Sequence, residues 1–150
     1  MKKILFLILL TLVFIMIWFG ESRKFFCLNN GKCITVWKTF NNVCYIIPGK
    51  YIGFFGPSSY SYIQTTNIHN FDIIWKSNSD SIIVNSDDST FIVNNFSKGV
   101  SIIKYSQNKR YNDSLFTYFD GKYHRYKKGI SYISVFVKEN YALDFNGKKL

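Results

Sequence analysis

Between Ile4 and Phe19 every residue except Thr11 is apolar, and Lys2 and Lys3 stand directly before the run. No other segment constrains the chain as much, because a helix apolar on every face must be covered, and a small domain has little interior to cover it with. As a helix the run would extend about 24 Å at about 1.5 Å per residue. That falls short of a hydrocarbon core of about 30 Å, and it exceeds the roughly 7 to 15 residues of a signal peptide's apolar region. Lys2 and Lys3 on one side, with Arg23 and Lys24 on the other, are placed to snorkel to the two interfaces and offset the deficit.

The evidence for cleavage is poorer. Gly20 and Ser22 are the small pair a signal peptidase would need, and the mature chain would then begin at Arg23. Cys27 is not read as a lipidation site, because Lys24, Phe25 and Phe26 stand where small or aliphatic residues are required. The sequence therefore predicts residues 1–24 as a membrane anchor, with a cleaved signal segment as the alternative, and residues 25–150 as one exported domain. The expected location is a single-pass membrane protein with its body outside the cytoplasm, or secretion after cleavage. Lys2 and Lys3 favour a cytoplasmic start, and Arg23 and Lys24 oppose them.

Beyond residue 20 the chain keeps 17 of its 19 basic residues and all 9 acidic ones, a net charge of +8. Such a field draws anionic lipid, acidic glycan or an acidic protein. Lys, Asn, Ile, Phe and Tyr are also abundant while Ala142 is the sole alanine, so a coding bias accounts equally well for the lysines and aromatics. Of the three cysteines, Cys27 and Cys33 bracket LNNGK, whose Asn30-Gly31 suits a tight turn, and they are the expected disulfide pair. Cys44, within VCYIIP, reads as a small buried residue. No metal site and no cofactor is expected, since these cysteines and the distant His69 and His124 lack paired ligand spacing.

From Gly31 onward, short β-rich runs alternate with clusters of Gly, Asn, Asp, Ser and Pro. They cover 33–37, 43–47, 61–65, 71–76, 81–85, 90–95, 100–106, 115–119, 122–127, 131–138 and 141–145. No further run carries a helical apolar stripe. The predicted fold class is all-β, a single antiparallel β-sandwich or barrel-like domain preceded by the N-terminal hydrophobic helix. The three runs from Ser81 to Ser106 read as a meander. In SYISVFVK, Ile133, Val135 and Val137 point to one side and belong inside, and Tyr141, Leu143 and Phe145 continue the period-two pattern in the last strand.

Asp120-Gly121 predicts a type I′ hairpin that sets Tyr118 against Tyr123, Thr117 against His124 and Phe116 against Arg125. Tyr118, Tyr123, Phe116 and Arg125 would then share one face, either an aromatic surface with a cation or part of the core. The segment 46–62 is the most unusual loop, with both prolines and Gly49, Gly53 and Gly56. Tyr51, Phe54 and Phe55 in it are candidates to grip a partner or lie against lipid, or else to cap one end of the domain. Basic and aromatic residues interleave from Lys104 to Lys128, which adds Lys127 and Lys128 to the candidate binding residues. Export argues against nucleic acid there and favours an anionic lipid or an envelope polymer.

No nucleophile elbow, phosphate loop or zinc motif occurs in the sequence. His69 stands three positions before Asp72, which on a strand puts them on opposite faces. Catalysis is not the expected activity. The expectation is a non-catalytic interaction module held to the membrane by the N-terminal helix, with an envelope protein as partner and an immunity- or inhibitor-type role suiting its size. The alternatives are adhesion to anionic lipid or glycan, and a small hydrolase using Asp72, His69 or His124.

Overall fold

The structure is a computed structural model; it describes every residue except 1, 40, 54, 66–69, 76–80, 87–89, 97–99, 106–108 and 120–121, and of 17–21, 109–111, 118–119 and 122–125 it describes the backbone alone. The chain opens with helix α1 (Lys2–Ser22), whose large apolar side chains from Ile4 to Met16 are all 46% to 74% exposed. None of them joins the cores described below. Among the described residues no helix is long and apolar enough to cross a membrane.

Among the described residues twelve strands follow: β1 (Arg23–Cys27), β2 (Cys33–Lys38), β3 (Cys44–Pro48), β4 (Tyr62–Thr65), β5 (Asn70–Trp75), β6 (Ser81–Ser86), β7 (Ile92–Asn94), β8 (Ser101–Lys104), β9 (Phe116–Phe119), β10 (Lys122–Tyr126), β11 (Ser131–Phe136) and β12 (Tyr141–Asp144). A short helix, α2 (Lys109–Leu115), precedes β9. One five-stranded sheet runs β1-β2-β3-β4-β7, a second runs β12-β11-β5-β6-β8, and β9 and β10 form a separate ribbon. All pairings are antiparallel except that of β6 with β8. The fold is thus mostly β with mixed sheets, and no strand pairing closes either sheet into a barrel among the described residues.

Alternation places the core. Phe26, Ile34, Val36, Cys44, Ile46 and Ile63 of the first sheet join Phe71, Ile73, Ile82, Val84, Ile102, Ile133, Val135 and Ala142 of the second in one apolar cluster. Each fully buried Ile or Val there stabilises the fold by about 1.5–3 kcal/mol relative to its exposure. The second sheet buries its other face too. Ile74 and Ile83 pack with Leu115 of α2, and Ile103, Tyr105, Phe116, Tyr126, Ile130 and Tyr132 pack against this smaller cluster. The α2–β9–β10 segment therefore covers the second sheet from outside.

Several expectations change. Arg23 and Lys24, read as the flank of the anchor, open strand β1, which pairs from Arg23↔Trp37 to Cys27↔Cys33. KRYNDSL forms α2 instead of a loop, because a two-turn helix needs only Leu115 facing inward, too little for a visible stripe. The three runs from Ser81 to Ser106 are not a meander. β7 leaves its neighbour to pair with β4 in the first sheet, and β8 returns parallel to β6. Asn95 welds that crossing, since its amide donates to the Ile102 carbonyl (2.9 Å) and its carbonyl accepts from the Ile102 N–H (2.7 Å), as a paired strand would.

The hairpin keeps Tyr118↔Tyr123, but a bulge between Tyr123 and Tyr126 makes Tyr126, not Arg125, the partner of Phe116. Arg125 therefore loses its predicted place across from Phe116. The predicted Asp120-Gly121 turn lies outside the described residues. In β12 the buried residues are Ala142 and Asp144, and Tyr141, Leu143 and Phe145 turn outward. Asp144 Oδ1 accepts from the N–H groups of Asn146 and Lys148, both at 2.8 Å, which turns the chain back so that Leu143 bridges to Lys149.

Cys27 and Cys33 are disulfide-bonded, and between them Gly31 adopts φ 82°. That left-handed conformation is costly for any residue with a Cβ. Cys44 is free and buried, and burial pushes its thiol up to about 12. Maleimide at pH 8 should accordingly leave Cys44 unmodified in the folded chain and label it stoichiometrically in guanidinium chloride. Labelling of the folded chain at the rate of a small-molecule thiol would contradict the burial.

Candidate functional site

The outer face of the first sheet carries an aromatic row, set by which residues of β1 to β4 share a pleat. Arg23 and Trp37 are register partners, as are Trp37 and Tyr45. Trp37 lies 5.5 Å from Tyr45 and 6.0 Å from Tyr51 between ring centres, Tyr45 lies 5.4 Å edge-on to Tyr62, and Tyr62 lies 6.4 Å from Phe96. Tyr51 meets Tyr60 edge-on at 5.1 Å. Such offset and edge-to-face contacts contribute beyond area burial.

Arg23 anchors one end. It is 3% exposed, with its guanidinium carbon 4.3 Å from the Trp37 ring centre and 5.2 Å from that of Tyr51. Its Nη1 donates to the Tyr51 carbonyl at 3.3 Å. Burial lowers its pKa, an effect that Tyr51 partly opposes, yet arginine stays protonated in proteins. Arg23 is thus a clamp inside the β domain and not a cation that snorkels from the helix end, as its sequence position suggested.

The segment 49–60 folds onto this face. Thr35 Oγ1 donates to the Gly49 carbonyl (2.7 Å) and accepts from the Tyr51 N–H (2.8 Å), and the Tyr51 hydroxyl donates to the Phe55 carbonyl. Gly53 lies so near the Tyr51 ring that an added Cβ would come within 2.3 Å of the hydroxyl oxygen, so only glycine fits beneath it. Tyr51 is consequently buried: of the two roles expected for it, contact surface or cap, its ring has the position of a cap. Phe55 is 86% exposed and Ile52 73%, whereas Phe54 lies outside the described residues. Ile52 and Phe96 are contributors to the surface that sequence reasoning missed. The signal for Ile52 is an apolar residue within a glycine-rich loop, and for Phe96 a lone ring just after the 90–95 run.

The other candidates sit on the covering segment of the second sheet. Lys127 is exposed, but its Nζ donates to the Asp113 carbonyl and its N–H to the Leu115 carbonyl (2.8 Å), tying the hairpin exit to α2. Lys128 is exposed. The side chains of Tyr118, Tyr123 and Arg125 lie outside the described residues, so their predicted shared face does too. Lys104 lies 4.3 Å from the Phe91 ring centre.

Asp72, the carboxylate considered for hydrolysis, accepts from Tyr126 Oη at Oδ2 and from Ser134 Oγ at Oδ1, both at 2.6 Å. Asn85 Nδ2 lies 3.4 Å from the same phenol oxygen. Burial first, then the charge of Asp72, pushes the Tyr126 phenol above its ordinary range. These groups hold β5, β6, β10 and β11 together and gather no nucleophile with a base. His69 lies outside the described residues, as does the side chain of His124. Among the described residues no three His, Cys, Asp or Glu side chains gather as metal ligands.

Fold and surface together define a mixed-sheet β domain with a pinned aromatic flap on one outer face and a hairpin layer on the other. Compared with protein-family models, curated proteins and solved structures, the chain matches none.

Proposed function

We propose that the chain is an exported, membrane-anchored interaction module: the two sheets pack face to face as an open sandwich, and α1 holds this body at the outer surface of a bilayer. The reading is carried by the contrast between a β domain that completes its own core and a leading helix whose apolar side chains take no part in it. Water opposes that exposure, and lipid removes it. The apolar run of 4–19 is short, so the bilayer thins locally or Lys2, Lys3 and Lys24 reach out to the headgroups. Arg23, committed to Trp37 and Tyr51, does not share that task.

The module binds another envelope protein and performs no chemistry of its own. Support comes from exposed residues on two faces, Ile52 and Phe55 on the flap and Lys127 and Lys128 after β10, and the sequence adds Tyr118, Tyr123 and Arg125 of the hairpin as candidates. Affinity purification of the intact chain from detergent-solubilised membranes tests this. The reading predicts a specific envelope protein retained through a high-salt wash. Binding only to anionic vesicles or polymer, abolished by salt and by Arg125→Glu with Lys127→Glu, would replace it with electrostatic adhesion.

A further inference from the structure

We infer that the flap of residues 49–60 is a membrane seat: Ile52 and Phe55 dip into the same bilayer that holds α1, and Tyr60 and Trp37 lie at the level of the headgroups. The inference rests on the anchored reading above and assigns this flap to lipid, which leaves the hairpin side for a protein partner.

Three observations carry it. The first is the tether. Arg23 follows the last residue of α1 with no linker, and its guanidinium carbon is 5.2 Å from the Tyr51 ring centre. The flap is therefore fixed at the end of the helix by a contact one residue from it. The second is the chemistry of the tip. Among the described residues, Ile52 and Phe55 are the most exposed large apolar side chains of the β domain, at 73% and 86%. Around them stand rings with an apolar body and a polar edge, the residues that gather at membrane–water interfaces. The third is rigidity. Thr35, the Tyr51 hydroxyl and the close fit of Gly53 hold the flap in shape. An apolar tip held outward, and not folded back, forfeits no ordering entropy when it meets lipid.

The test uses the full-length chain in phosphatidylcholine vesicles, with a polarity-sensitive fluorophore on Ile52→Cys, Phe55→Cys or Asn30→Cys. Asn30 is an exposed residue in the β1–β2 turn, at the end of those strands away from α1. Cys27 and Cys33 are bonded and Cys44 is buried, so the introduced thiol takes the label. The expected result is blue-shifted emission at 52 and 55 with quenching by spin-labelled lipid, and water-like, unquenched emission at 30. Equal, unquenched emission at all three sites in a chain that floats with the vesicles would overturn the membrane seat and leave the anchor intact. A chain that fails to float would overturn both.

Discussion

Arg23→Ala should destabilise the β domain by about 2–4 kcal/mol and release the 49–60 flap, because three losses coincide at one site. Alanine removes a cation desolvated between Trp37 and Tyr51, the donor to the Tyr51 carbonyl, and the stem that fills the space beneath both rings. The two rings cannot collapse onto the vacancy while Thr35 and the Phe55 carbonyl hold Tyr51 in place. Denaturant unfolding in detergent, paired with limited proteolysis, reads both effects, with new cleavage expected between residues 49 and 60. Arg23→Met separates the causes. If the stem dominates, methionine recovers most of the loss, since a buried charge is often replaceable by an apolar group of similar volume. An Arg23→Ala change below about 0.5 kcal/mol, within the range of ordinary surface substitutions, would contradict the clamp.

Asp72→Ala should cost about 2–3 kcal/mol and loosen the α2–β9–β10 layer from the second sheet. The substitution strands two hydroxyls, Tyr126 Oη and Ser134 Oγ, that now donate to one partly buried carboxylate at 2.6 Å each. Tyr126 also stacks on Phe116 at 4.8 Å and lies 4.4 Å from the Tyr132 ring, so its ring and its hydroxyl hold the layer by separate means. Tyr126→Phe keeps the ring and removes only the hydrogen bond, with about 1 kcal/mol expected. A double-mutant cycle between the two should show coupling, because both changes break the same contact. Additive effects would place Asp72 in another role.

What the sequence could reveal was set by the range of the physics involved. Period-two alternation is local, so Ile133, Val135 and Val137 announced their face, and the loop between Cys27 and Cys33 announced their bond. Strand partners are not local. Nothing in FIVNN says that β7 crosses to β4 while β8 turns back beside β6, since the welding contact runs from Asn95 to Ile102 and depends on the finished sheets. Tyr51 stands between two roles in the sequence for the same reason. A tyrosine in a glycine-rich loop suits a contact surface or a cap, and only the arrival of Arg23 and Trp37 from β1 and β2 makes it interior. Arg23 itself sat where a helix-flanking cation is expected, and no local pattern distinguishes a snorkelling arginine from a clamped one. The hairpin shows a middle case, with Tyr118↔Tyr123 paired as the sequence predicts and Phe116 set against Tyr126, the donor to Asp72, by a bulge.

The proposed role requires α1 to reside in lipid and the β domain to lie outside the cytoplasm. Protease added to intact spheroplasts expressing the full-length chain, followed by alkaline carbonate extraction of the membranes, measures both at once. The account predicts that the β domain is digested from outside and that the helical segment stays in the carbonate-washed pellet. A chain that survives until the cells are lysed and then fractionates as a soluble protein would contradict it.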